Sequence, residues 1–309
     1  LVALNAKKYG LNFGFNIGFN KNKILSLGVM NDFGQNTSWA STEIGNDYWI
    51  ALGGSVGEMY GYINDGRYEV SDFSGYDAEA DEWILNEGVV DNSNVIGTVR
   101  PGSLKLRDLT GDGLVTVADG SVIGNANPVH TGGFTVEGYF YGFDLSALFN
   151  WSYGNDIYNA NKIEYTTSRY AFRNLIDVMA EGNRWTNLDA ATGTLVNDPA
   201  TLASMNANTT MWSPFMSRHV FSDWAVEDGS FLRLNTLTLG YSLPELVTSR
   251  LNIQRLRLYV SGYNVFVLTN YSGFDPEVSS RRNPVLTPGL DYSAYPKSRQ
   301  LLFGVNLTF

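Results

Sequence analysis

The chain has 309 residues, a formal net charge of −10, 44% hydrophobic residues and no cysteine. An acidic balance argues against nucleic acid, which needs clustered Lys and Arg to displace counterions, and zero cysteine excludes a disulfide framework and a thiolate metal site. No run approaches the ~18–20 apolar residues of a membrane helix, so any membrane span in this chain must be a β-strand.

Aromatic residues make up 14% of the chain, with Tyr (18) the most numerous ring, and Tyr and Trp collect at membrane–water interfaces. The opening Leu1-Val-Ala-Leu is too short for a signal peptide and lacks a charged start, so an exported chain beginning here is expected to be mature or a fragment. Residues 9–20 then alternate strictly. Tyr9, Leu11, Phe13, Phe15, Ile17 and Phe19 share one face, and only Gly and Asn occupy the other. Twelve such residues match a membrane-spanning strand of ~9–11 residues with a wet inner face. Residues 24–129 are expected to be mostly loop with one hairpin over 58–70, and their pattern leaves open whether they cross a membrane.

Alternation returns over residues 133–141 and 143–153, joined by a tight turn at Tyr141-Gly142. A long connection over 158–229 follows, inside which Phe172, Leu175, Ile176 and Met179 have helical spacing and Gly182 a stop, predicting a short helix over 168–182. Residues 230–243 read as a strand with Leu on both faces, which leaves the register open, and 254–268 as another. A second long connection covers 271–297. The chain closes on a strand in which Leu301, Phe303, Val305, Leu307 and Phe309 face one way. An outer-membrane barrel closes with such a strand, and Phe303, Val305, Leu307 and Phe309 are then the expected assembly signal. Outer-membrane barrels have short periplasmic turns and long extracellular loops. With the terminus on the periplasmic side, strand directions alternate so that both long connections fall outside. The six clear spans, or eight with the hairpin, fall at or below the eight-strand minimum of a membrane barrel, so the chain is expected to be the end of something larger.

Asp108-Leu-Thr-Gly-Asp-Gly-Leu-Val-Thr-Val-Ala-Asp119 fits an EF-hand-like loop. Asp108, Thr110 and Asp112 would hold positions one, three and five, Leu114 would offer its carbonyl and Asp119 would close at twelve. Thr at three and Asp at twelve weaken the set, so the expectation is weak, structural calcium, against the plainer reading of a chain-reversing turn. Gly53-Gly-Ser-Val-Gly57 matches the hydrolase nucleophile pattern, but a strand follows where a helix is needed and only His130 and His219 are available as bases. No acid–base, nucleophile, phosphate-loop or dinucleotide constellation remains, so an enzyme is not expected. Trp39, Trp49, Trp185, Trp212, Trp224 and Tyr271 lie in the expected outer segments. They would pack loops or contact substrate or a partner, with loop packing favoured. Arg281-Arg282 is expected to be a solvated pair.

The ordered series of motifs carries more than any member. It runs from Leu52–Gly66 through Asp108–Gly113, Ile123–Pro128, Gly142–Ser146, Asn183–Thr186, Glu227–Leu234, Leu239–Pro244, Tyr271–Glu277 and Gly289–Pro296 to the terminal strand. In this order the chain resembles the C-terminal part of SusC/RagA-like TonB-dependent outer-membrane transporters over nearly its whole length, most weakly at 67–102. The resemblance implies an all-β, antiparallel section of a 22-stranded transmembrane barrel, with the plug domain and N-terminal strands absent from residues 1–309. It implies import of glycans or peptides across the bacterial outer membrane, a SusD-like lipoprotein partner, and contact with TonB through the missing N-terminal part. Two other classes stay open: a passive porin or adhesin barrel, and a soluble β-sandwich that binds glycans.

Overall fold

The computed structural model describes residues 2–40, 44–169, 172–280 and 285–309. Its frame is one seven-stranded antiparallel sheet: β1 (Val2–Asn5), β2 (Tyr9–Gly18), β3 (His130–Phe140), β4 (Phe143–Tyr153), β5 (Phe231–Ser242), β6 (Arg255–Thr269) and β7 (Gln300–Thr308), neighbours in that order. All six strands expected from alternation are present, and β1 adds a short edge. Among the described residues the sheet does not close; it ends on β1 and β7.

Register settles what the sequence left open in β5. Phe15 pairs Phe134, which pairs Phe149, which pairs Leu234, which pairs Phe266. Two residues on, Phe13, Val136 and Ala147 follow on the same face, and Leu258–Val305 and Val260–Phe303 carry it across the last pair. No element covers this apolar face among the described residues: Phe303 is 75% exposed and Phe15 61%, while mid-sheet side chains such as Ala147 and Leu234 are shielded by their neighbours. A β-sandwich would bury such a face against a second sheet, and among the described residues none covers it. Aromatic clusters bound it at both ends. Phe140–Tyr141 and Phe143–Tyr241 lie at the short-turn end, Phe15–Trp151 and His130–Tyr153 at the other. The eleven residues of β3 span about 33 Å, or about 23 Å at ~45° tilt, close to the ~25 Å apolar band of an outer-membrane wall. No helix among the described residues is long and apolar enough to cross a membrane.

The opposite face is polar, and its glycines have a specific use. Tyr139 lies directly across from Gly10, and Tyr259 from Gly304. A Cβ at either glycine would overlap the facing ring, so each glycine lets a tyrosine lie flat across the neighbouring strand.

Every long excursion leaves the same end of this wall: 19–129 between β2 and β3, 154–230 between β4 and β5, and 270–299 between β6 and β7. Together they build an outer layer with its own cores. One gathers Trp39, Tyr48, Met59, Tyr158, Phe221 and Leu290; the other gathers Tyr68, Phe73, Leu104, Leu106, Val115 and Trp212. A three-stranded sheet ties two excursions together, with Asp156–Asn159 pairing Val226–Asp228 antiparallel and Leu290–Asp291 parallel. Strands within 19–129 hold three to five residues, too short to span a bilayer, and none joins the wall.

Two local expectations need correction. Residues 58–70 do not form a hairpin. Glu58–Gly61 pairs with Ser121–Asn125 and Tyr48–Ala51, while Asn64–Arg67 pairs with Leu104–Leu106. The chain runs straight on at Tyr62, whose amide donates to the Phe221 carbonyl, so tertiary partners take the backbone groups that a hairpin would have paired. The stretch 168–182 is not an α-helix in its described part. It holds one 3-10 turn, Asp177–Met179. Phe172 sits at φ 64, outside helical space, and the amides of Ser168 and Ile176 donate to Pro214 and Tyr165. Short helices lie instead at Ala160–Glu164 and Pro199–Met205. Arg281-Arg282 lies outside the described residues.

Candidate functional site

Where the polar face of the wall meets the outer layer, a cleft of about 550 Å³ opens. Asn16, Asn150 and Ser152 of the wall, Asp156 of the outer layer, and Glu277 and Ser279 of the last excursion are among its lining residues. Alternation places the wall groups there: each sits on the face opposite the apolar one. Farther along this face Arg257 grips Asp144 through two bonds of 2.8 and 2.5 Å, and Thr238 bonds Ser261 at 2.8 Å.

The loop wall of the cleft is held by charge. Arg233 on β5 is 2% exposed, with Nη2 2.6 Å from Asp275 and Nε 2.8 Å from Glu277. Lys297 meets Glu277 at 2.8 Å, and Arg233 also donates to the Asn264 side chain. Beside this network Glu227 accepts from the Ser272 amide at 2.9 Å and hydroxyl at 2.8 Å, with Lys162 3.4 Å away. Burial works to raise the Glu227 carboxyl, but these donors and the cation outweigh it, and it is held below the usual range. Asp156 goes the other way: burial, with the charge of Asp228, raises it against the Asn125 amide bond. The result is a polar recess of amides, hydroxyls and mostly compensated charge. Its groups can bind and orient a hydrogen-bonding ligand.

The sequence-derived candidates fall elsewhere. Trp185 is buried with Arg67 4.8 Å over its ring, Trp212 packs edge-on to Trp224 at 4.8 Å, and Trp39 donates to the Tyr158 hydroxyl at 2.6 Å. Tyr271 is buried and donates to Asp291 at 2.6 Å. Trp49 stacks on Tyr60 at 4.7 Å. The side chains of Trp185, Trp212 and Tyr271 therefore hold loops to one another and offer no free aromatic platform; apolar rings surrounded by water-facing loops gain most by packing inward.

Phe303, Val305, Leu307 and Phe309 are all exposed. Ser55 accepts from Asn125 and faces Glu58, with neither histidine among these partners.

In the Asp108–Asp119 loop the carboxylates serve the loop itself. Asp108 accepts from the amides of Gly111 (2.6 Å) and Gly113 (2.8 Å). Asp119, fully buried, accepts from the amides of Leu109, Thr110 and Thr116 at 2.8–3.0 Å. Burial alone would raise the Asp119 carboxyl, yet these bonds take it down to about 2. Asp112 accepts from Leu114. As arranged, Asp119 faces N–H donors and is not free as a twelfth-position calcium ligand, and no group of three or more His, Asp or Glu among the described residues is disposed around a metal.

The Arg233 network was missed in the sequence. A signal existed: a lone Arg in the run Phe231-Leu-Arg-Leu234 of an otherwise apolar strand, with Asp275 and Glu277 in a motif noted only for its resemblance.

No family model matches the chain. It is 29% identical to TonB-dependent receptor P3 of Formosa agariphila over 299 residues, covering 96% of this chain and 26% of that protein. It is 36% identical to TonB-dependent receptor SusC of Bacteroides thetaiotaomicron over 89 residues, 28% of this chain and 8% of that one. Among solved structures, a chain of the RagAB peptide importer in its "closed-closed" state superposes with a TM-score of 0.64 at 20% identity, over 100% of this chain and 28% of its own length. The chain thus spans about a quarter of the length of the relative it matches along nearly its whole course. It resembles proteins named TonB-dependent receptors in sequence, SusC among them, and a chain of the RagAB peptide importer in fold.

Proposed function

We propose that this chain forms part of the wall and outer layer of a TonB-dependent transporter that imports nutrients across the bacterial outer membrane. The observation that carries it is the two-faced sheet: apolar and uncovered by any other element on one side, polar on the other, with a folded cap at one end. Only a wall between lipid and a wet interior satisfies both faces at once. The seven strands would supply about a third of a 22-stranded barrel, at its C-terminal side. Energy coupling through TonB, and the plug, would reside in parts of the protein outside this stretch. The cargo would be a glycan or a peptide, both served by a recess rich in amides and hydroxyls, and a SusD-like surface lipoprotein would meet the outer layer. Uptake by cells expressing the intact protein, with and without TonB, tests this reading. Loss of uptake without TonB is expected; TonB-independent uptake would favour a passive porin.

Calcium at Asp108–Asp119 is a second, smaller proposal resting on the sequence pattern. It would require Asp119 to exchange its amide partners for the ion, so only millimolar affinity is expected, within the ~10⁻⁴–10⁻³ M class of extracellular modules. Hydrogen exchange of residues 108–119 with and without 5 mM (about fivefold above that class) calcium decides it: added protection supports the site, and no change leaves a self-sufficient turn.

A further inference from the structure

We propose that Arg233 is a positioning residue that docks residues 271–279 onto the polar face of the wall and so fixes the loop side of the cleft. This rests on the transport reading only for its consequence in uptake; the docking itself stands on geometry. Arg233 is the sole charged residue of β5, and its guanidinium, 2% exposed, has two carboxylates of the same short segment within ion-pair distance, Asp275 at 2.6 Å and Glu277 at 2.8 Å. A buried guanidinium is tolerated where carboxylates and acceptors meet it; here Nη2 bonds Asp275 and Nη1 bonds Asn264, while Nε lies at ion-pair distance from Glu277 without hydrogen-bond alignment.

The wall is locally reshaped to make the match. The β5–β6 register shifts between Leu234 and Thr236, and Asn264 opposite sits at φ 50 inside a strand. Such a bulge re-aims side chains. Here it lets the Asn264 carboxamide accept from Arg233 while its Nδ2 donates to the Lys297 and Ser298 carbonyls at 3.1 and 3.4 Å. One wall residue therefore holds the latch and the returning end of the same excursion. Lys297 closes the set, 2.8 Å from Glu277 and 4.0 Å from Asp275, so two cations balance two anions. From this anchor Pro276, Glu277, Val278 and Ser279 line the cleft opposite Asn16 and Asn150. Without Arg233 the two carboxylates would keep only the half-exposed Lys297 and one long bond of 3.4 Å from Asn150 to Glu277, too little to hold the segment on the wall.

The experiment uses the full gene product in native outer membrane. Hydrogen exchange is followed for residues 270–280 and, as an internal reference, for the β3–β4 hairpin. Arg233→Gln is expected to lower protection of 270–280 at least tenfold with the hairpin unchanged. Arg233→Lys, a point charge able to meet only one carboxylate well, should recover part of it. If the Gln variant fails to assemble, Asp275→Asn with Glu277→Gln removes the same contacts from the loop side and should loosen the same segment. In uptake the half-saturating substrate concentration should rise with the maximal rate little changed. Unchanged protection of 270–280 in an assembled variant overturns the proposal, as does equal loss across hairpin and loop. If the wild-type protein itself fails to import, the transport reading falls while the exchange result still judges the latch.

Discussion

The wall and the outer layer solve opposite problems with the same backbone element. In the wall, Phe13, Phe15, Phe303 and Val305 turn outward and Asn12, Asn16, Asn150 and Arg257 turn to the other side. In the outer layer the order is reversed: Tyr158, Tyr48, Met59 and Leu290 are wholly buried beneath exposed polar loops. In the proposed reading wall strands are long because a bilayer has to be spanned without an unpaired backbone group. Outer strands are short because water satisfies their ends, and their stability comes from side-chain cores. The comparison teaches that the two regions place their apolar side chains by opposite rules, on either side of a boundary near His130 and Tyr153, as the proposed lipid setting of the wall requires.

That contrast can be broken at its strongest point first. Tyr158 stacks on Phe221 with centroids 3.7 Å apart, receives the Trp39 indole bond and is fully buried. Tyr158→Ala should cost the outer layer about 3–5 kcal/mol, the range for large aromatic deletions. Protease cutting within 154–230 should rise with the wall still resistant. Equal loosening of both regions would show that they are not separable.

Phe303→Arg probes the other solvent and should destabilise by about 2–4 kcal/mol near the bilayer midplane, read from urea unfolding in lipid vesicles. A variant as stable as wild type would mean that this face does not meet lipid.

Asp119→Asn should cost the outer layer about 1–3 kcal/mol, since amides lose a charged acceptor in a buried turn. The pH dependence has a definite sign. The folded carboxyl titrates near 2, below an unfolded value of about 3.9. Its stabilisation is therefore complete above the unfolded value and fades as pH falls towards 2. Exchange of residues 108–119 between pH 5 and 2 should lose this acid sensitivity in the Asn variant.

Gly304→Val would push Tyr259 off its neighbouring strand, with a cost of about 1–3 kcal/mol by overpacking, while Gly66→Ala in the outer layer meets no side chain and tests only its positive φ. Smallest should be Arg107→Ala, which removes an exposed pair with Asp65 worth about 0.2–1 kcal/mol and screened by salt.

The wall was legible in advance because a period of two writes each face directly into the residues: the odd positions of 9–19 and 301–309 named their environment before any partner was known. In the outer layer the same kind of inference failed. The helical spacing over 168–182 was outweighed by backbone bonds donated to the Pro214 and Tyr165 carbonyls, and the hairpin at 58–70 by partners at Leu104–Leu106 and Ser121–Asn125. The glycines of β2 read as wet-facing small residues, whereas Gly10 is small because Tyr139 lies over it. Alternation and connection length alone determined six wall strands, their directions and the end from which the excursions at 154–230 and 270–299 leave, because each depends on local side-chain order. The edge strand Val2–Asn5 and the place of 19–129 came from the structure. The latch at Arg233, the cleft and the inward turn of Trp185, Trp212 and Tyr271 were decided only by tertiary structure. They join residues that do not follow a strand or helix period, Arg233 with Asp275, Arg67 with Trp185, Tyr271 with Asp291 and Trp212 with Trp224, and such charge or ring partners leave no periodic trace in a single sequence.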